Sequence, residues 1–395
     1  MDKEQLFERL DQFKMETPTW GYANSQTRFE KFRQPAAACS IEEKLADAGV
    51  VHKYTGCCPT IAVHALWDFS VGVDATATAK LAEQHGVKIG SIHPTLFEDQ
   101  IYRLGSVCSP DERARQHAIR HVMDCIRIAR AVGSDIISLW LPDGTSYPGQ
   151  DDLATRKQRL HGALRQWRDA MPAETTLLLQ YKPFEPALYH SDIADWGMAY
   201  VYAQMASPEA KVLVDISHHL PTQNVEHIVS FLLDEDMLGG LHFNDHQYAD
   251  DDLTIASIDP YATFRIFHEI RNAADLHGRD LSKILYMIDQ PGTLKPKVTA
   301  MIQAACRAQE LYAKACLVDR QKLQDAQVQM NVLAAEQCLQ EAFFADIQPL
   351  LAEWRQRHHL DPDPLAAYQA SGYEEQIAKE REAARAGRGA YAGSA

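Results

Sequence analysis

Short apolar runs of strand type recur along this chain, each separated from the next by a longer stretch of helical period. That alternation restricts the fold to a parallel sheet covered by helices. The runs fall at 16–20 (ETPTW), 60–66 (TIAVHAL), 87–93 (VKIGSIH), 135–141 (DIISLWL), 176–182 (TLLLQYK), 211–216 (KVLVDI), 238–243 (LGGLHF) and 283–288 (KILYMI). Between them, 153–171 sets Leu153, Leu160, Leu164, Trp167 and Met171 on one helical face, and 110–132 does so with Ala118, Val122, Ile126 and Ala129. Strands in this rhythm suit an α/β fold of the closed (β/α)8 TIM barrel kind, while periodicity alone leaves a doubly wound open sheet in play. The polar residues favour the barrel: several strands end in acids, amides or histidines, and a barrel gathers such ends around one pocket.

Beyond residue 295 strand signals stop and helix follows helix, with an Ala/Gln/Glu/Leu-rich stretch from 319 to 357 and a break at Asp361 to Pro364. The expected division is a catalytic barrel with an N-terminal helix over 1–318 and a C-terminal helical extension over 319–395, ending in a disordered tail, GRGAYAGSA. The 39 basic against 54 acidic residues, a net charge of −15, argue against nucleic acid and anionic membrane as partners. No apolar run approaches membrane-spanning length. The eight cysteines form no CxxC pair, and the polar start MDKEQLFERLDQ does not read as a signal peptide, so reduced thiols in a cytoplasmic protein are expected.

The residues that carry chemistry stand at or just past strand ends: Gln180, Asp215, His218, His242, Asp250, Asp252 and Asp289. Hard divalent cations take oxygen ligands, and imidazole is acceptable to Mn²⁺ and softer ions. In a barrel Gln180, Asp215, His242 and Asp289 converge into one mixed oxygen and nitrogen site. Asp215 with His218, and Asp250 with Asp252 in an extended loop, make a second group, with Asp215 bridging the two. Taken alone, an Asp-Asp-Asp run is more often a solvated loop or helix cap, and a histidine more often structural than a ligand. An acid closing an apolar strand is different, because its burial is costly without a partner.

The segments VDISHH (214–219), LHFNDHQYADDDL (241–253), YMIDQ (286–290), LWLPDGTSYPGQ (139–150) and KPFEPALY (182–189) resemble those of the bacterial L-rhamnose isomerases of broad sugar specificity, over most of the chain from Trp20 to Ser371. The resemblance implies two divalent metals per subunit, Mn²⁺ foremost, with Co²⁺ or Mg²⁺ as alternatives. It assigns Asp215, His242 and Asp289 to the first and His218, Asp250 and Asp252 to the second, and it suggests a homotetramer. The chain departs from the family where Gln180-Tyr181-Lys182 stands for Glu-His-Lys, and where His93-Pro94-Thr95 stands for an Asn-rich turn.

The expected reaction is an aldose–ketose isomerisation of a free sugar, L-rhamnose to L-rhamnulose first among substrates, with a hydride shift as the carbon step. Asp289, Lys182, His218 and Asp250 are the expected catalytic residues. Lys182 reads equally as a donor to the sugar O1 and as an ion pair with Glu185. His64 is expected at the sugar ring oxygen, with Trp20, Phe29, Trp67 and Trp140 as an apolar wall. Alternatives are an isomerase or epimerase of another sugar, a barrel phosphodiesterase or nuclease, which the acidic composition disfavours, and a non-catalytic sugar-binding protein.

Overall fold

Each apolar run becomes a strand, and the strands shut into a ring. The computed structural model describes residues 2–24, 33–70, 72–185, 189–248, 250–290 and 294–387. In chain order the strands are β1 (Glu16–Pro18), β2 (Thr60–His64), β3 (Lys88–His93), β4 (Ile136–Trp140), β5 (Thr176–Gln180), β6 (Phe184–Glu185), β7 (Tyr189–His190), β8 (Ala210–Asp215), β9 (Leu238–Phe243) and β10 (Leu285–Ile288). Eight of them form a closed barrel in the order β1-β10-β9-β8-β5-β4-β3-β2, and β6 with β7 forms a small antiparallel hairpin beyond β5. The open-sheet alternative is eliminated because β1 pairs in parallel with both β2 and β10.

The connecting helices are cut by sequence signals. Ser40, Asp74, Asp111, Asp152, Asp195, Asn224 and Asp259 each accept a backbone N–H at a helix start, and Gly56, Gly133 and Gly278 end helices in the left-handed conformation. Helix Lys297–Cys316 follows β10 and buries a face of small side chains, including Ala300, Ala304, Ala305 and Ala308. No helix among the described residues is long and apolar enough to cross a membrane.

The first run is shorter than expected, and the C-terminal stretch is helix after helix as expected. The first run stops being strand at Pro18, and Thr19–Gly21 turns as a 3-10 helix that swings Trp20 over the barrel mouth. The stretch from 319 to 357 is three helices, Arg320–Val328, Val332–Phe343 and Gln348–Arg357, the first break marked by Met330 at φ 55°. Helices Pro364–Ala370 and Tyr373–Gly387 follow; the remainder of the predicted tail lies outside the described residues.

Candidate metal centre and sugar pocket

Strand register brings the acids and histidines together. Asp215 of β8 pairs with His242 of β9, and His242 pairs with Met287 of β10, two residues before Asp289, so the three side chains rise at one end of the ring. Ligand atoms of Asp215, His242 and Asp289 all lie within 4.8 Å of one another. His242 Nδ1 is 3.4 Å from Asp215 Oδ2 and 3.0 Å from Asp289 Oδ2. Yet neither ring nitrogen of this buried histidine makes an aligned hydrogen bond among the described residues. Two carboxylates and an imidazole converging on one point are a donor set that divalent cations accept, so the residues fit a metal.

Asp215 shows how one acid can serve two groups. Its Oδ1 is occupied by Ser217 N and Oγ, each at 3.1 Å, and by Asn244 Nδ2 at 2.9 Å. Its Oδ2 faces His242 on one side and His218 Nε2, 3.7 Å away, on the other. His218 Nδ1 lies 2.9 Å from the carbonyl of Tyr181, so that nitrogen carries a proton and donates, which turns Nε2 toward Asp215 and Asp250. Asp250 Oδ1 is 3.3 Å from that Nε2, and Asp250 and Asp252 each reach Ser217 Oγ at 3.2 Å. The two aspartates therefore converge as expected, but not through an extended loop: Asp252 has φ 45°, and this left-handed turn brings its carboxylate inward.

Burial opposes every charge here, and the partners decide the outcome. Burial works against the His242 cation, but Asp215 and Asp289 hold its pKa up at about 9. Burial raises Asp215, yet His218 and His242 keep it well below the usual carboxylate range, and His218 with Lys182 does the same for Asp250. Asp252 is driven far up by burial and then by the neighbouring carboxylates Asp250, Asp289 and Asp215. Without a cation, a buried excess of acids is balanced by protons on histidines.

Gln180 sits at the same level but presents the other end of its amide: Nε2 donates to Asp215 Oδ2 at 2.9 Å. Coordination through Oε1 requires the amide to turn over. Lys182 Nζ is held at 2.5 Å by both Glu185 and Asp250 and lies 5.2 Å from the Trp140 ring centroid. The ion pair with Glu185 is thus present, and Asp250 doubles it.

Across the mouth, Trp20, His64, Trp67, Phe97 and Trp140 form a continuous aromatic wall, with His64 4.9 Å from Trp20 and 4.2 Å from Trp67, and Phe97 5.0 Å from Trp140. Trp20 Nε1 donates to Asp289 Oδ1 at 2.9 Å and so joins wall to centre. Phe29 lies outside the described residues. Sequence reasoning missed Phe97, Ser217 and Asn244. Ser217 and Asn244 lie between or beside the predicted ligands, and their closeness to Asp215 and His242 was the available signal. It also missed Glu16, which enters the barrel beside Gly90, where a Cβ would collide with the carboxylate, and accepts from Ser91 N. In a second acidic grouping, Cys108, Asp143 and Asp192, Arg156 grips Asp192 through Nε at 3.0 Å and Nη2 at 2.7 Å, and Asp143 accepts the backbone N–H groups of Ser106 and Cys108 at 2.7 and 2.8 Å.

A parallel barrel that gathers acids and histidines at its strand ends beside an aromatic wall belongs to the (β/α)8 class, whose pockets lie at that end of the strands. Residues 62–305 match the xylose isomerase-like TIM barrel family, and the chain belongs to that family. It is 34% identical over 386 residues to a probable sugar isomerase of Mesorhizobium japonicum, covering 96% of this chain and 89% of that protein. A probable sugar isomerase of Rhizobium meliloti is also 34% identical, over 94% of this chain and 87% of its own length. Among solved structures, an L-ribulose 3-epimerase shares the fold at TM-score 0.51 and 13% identity, covering 84% of this chain and 97% of that one. The 3-keto-D-glucoside 4-epimerase of E. coli does so at TM-score 0.51 and 12% identity, over 75% and 99%.

Proposed function

We propose that this chain is a divalent-metal-dependent aldose–ketose isomerase of free sugars, with L-rhamnose to L-rhamnulose the first reaction to try and Mn²⁺ the first metal. The observation that carries the reading is the convergence of Asp215, His242 and Asp289 on one point beside an aromatic wall that Trp20 joins to Asp289. In this reading Asp215, His242 and Asp289, with Gln180 once its amide turns, hold one cation, and His218, Asp250 and Asp252 with Asp215 hold a second. A divalent cation bound there supplies polarisation of adjacent sugar C–O bonds. The wall takes the C–H face of the sugar, and Lys182, aimed by Glu185 and Asp250, donates to the oxygen on C1. Gln180 carries no proton-accepting group, which weighs toward a hydride shift that needs no base at carbon. The barrel over 1–318 is the catalytic unit and 319–395 a helical extension that meets neighbouring subunits of a homotetramer.

The test is ketose formation from a panel of aldoses by EDTA-treated protein, before and after addition of Mn²⁺, Co²⁺ or Mg²⁺. Activity is expected only with added metal. No turnover of any aldose at saturating metal would overturn the reading.

A further inference from the structure

His64 ends β2, and its ring is packed between two indoles. Its Nδ1 lies 3.0 Å from Oγ1 of Thr95, which is fully buried. A buried hydroxyl must donate to something, and among the described residues Nδ1 is the one hydrogen-bond acceptor that Thr95 Oγ1 meets. The hydroxyl therefore donates, Nδ1 holds the lone pair, and the ring proton of the uncharged imidazole sits on Nε2. That nitrogen has no protein hydrogen-bond partner among the described residues, so it is left for a ligand.

Thr95 is itself held. Its backbone N–H donates to His121 Nε2 at 3.0 Å, from helix Glu112–Val132, so His121 too is uncharged, with its proton on Nδ1. Asp68, four residues past His64, is not the ring's partner. Its carboxylate accepts the backbone N–H of His64 at 2.9 Å, the hydroxyl of Thr19 at 2.6 Å and the ammonium of Lys44 at 2.6 Å. A carboxylate on Nδ1 would draw the proton there and make Nε2 a base. A threonine hydroxyl that donates to Nδ1 reverses that polarity.

Resting on the isomerase reading above, we infer that Thr95, seated by His121, is a positioning residue that makes His64 an uncharged hydrogen-bond donor to a sugar oxygen and denies it the role of base. Such a donor serves an oxygen that gains charge, the ring oxygen of a cyclic sugar as it opens being the first case. The hydroxyl protons of the sugar must then leave through the opposite, metal-facing side of the pocket.

The experiment uses the full chain, with Mn²⁺ for the kinetics and diamagnetic Mg²⁺ for the spectra, and compares wild type, Thr95→Val and Thr95→Ser. One readout is kinetics on the best aldose of the panel. The other is the imidazole ¹⁵N spectrum of [¹⁵N]histidine-labelled protein, with the His64 signals assigned from their loss in His64→Gln. Wild type is expected to show His64 neutral with the proton on Nε2. Thr95→Val is expected to lose that pattern and to drop kcat roughly tenfold or more with a smaller change in KM, and Thr95→Ser to recover most of the loss. A proton on Nδ1 in wild type, or a Thr95→Val protein unchanged in both spectrum and kcat, would overturn the inference. The wild-type spectrum decides even where Thr95→Val does not fold. It also decides where no aldose is turned over, an outcome that removes the isomerase reading but not the assignment of Thr95.

Discussion

One carboxamide alters the charge balance at the centre of the barrel mouth. Gln180 donates to Asp215 where a carboxylate would repel it, so the protein without metal gains a hydrogen bond and the cation loses a negative ligand. Gln180→Glu is therefore expected to tighten Mn²⁺ binding, about tenfold or more, with an unchanged order of preference among sugars. The same variant is expected to be less stable than wild type in EDTA, because a second acid then faces Asp215 across a buried gap. Calorimetric metal titration and thermal unfolding in EDTA check both, and equal Mn²⁺ affinity would exclude residue 180 from the first cation's ligands. Asp215→Asn keeps the shape that Ser217 and Asn244 bind but removes the shared charge. It is expected to weaken cation binding by about a hundredfold or more and to abolish turnover, with the circular dichroism spectrum unchanged. Retention of full activity would end the shared-oxygen account.

Among the secondary-structure elements, strands and their order were legible, and their ends less so. The run 176–182 was read as one strand, but the ladder stops at Gln180, and Tyr181 and Lys182 leave it to place a carbonyl against His218 and an ammonium against Asp250. Residues that quit a ladder to face a pocket still look apolar or extended in sequence. The C-terminal helix Tyr373–Gly387 is a second case, since its docking was invisible to periodicity. Arg381 makes a two-pronged pair with Asp47, each contact 2.9 Å, and both side chains are buried. Arg385 adds bonds to the carbonyls of Pro35 and Ala37. Arg381→Ala leaves Asp47 buried without its ion-pair partner, holding only the hydroxyl of Tyr373 among the described side chains, and a loss of about 3 kcal/mol in urea unfolding is expected. The double variant Asp47→Leu/Arg381→Met is expected to regain much of it. A single variant as stable as wild type would mean that the pair does not hold the helix.

For the molecule as a whole, acid stability follows from histidines that folding keeps uncharged. Burial holds His64 at a pKa of about 3 and His219 and His268 at about 4. Unfolded, each titrates near 6.5, so between that value and the folded pKa the unfolded chain binds protons that the folded chain refuses. The sign is therefore a loss of stability as pH falls below about 6.5, at up to about 1.4 kcal/mol per pH unit for each such histidine until its folded pKa is reached. Urea midpoints in EDTA at pH 7.0, 6.0 and 5.0 are expected to fall steeply, and a flat profile would contradict uncharged burial of these rings.

What the chain's linear pattern determined was local: which runs are strands, where helices begin at Asp, Ser or Asn caps, and which acids and histidines stand at strand ends. These follow from side-chain period and capping chemistry, which act over a few residues. Closure was decided only in three dimensions, because the register between strands joins the first to the last and lets Trp20 donate to Asp289 across 269 residues. Tertiary structure also decided the finer electrostatics, namely which oxygen of Asp215 faces the histidines, which nitrogen of His64 bears the proton and which end of Gln180 faces inward. Each depends on partners brought in from a different strand or loop, and no spacing along the chain encodes them.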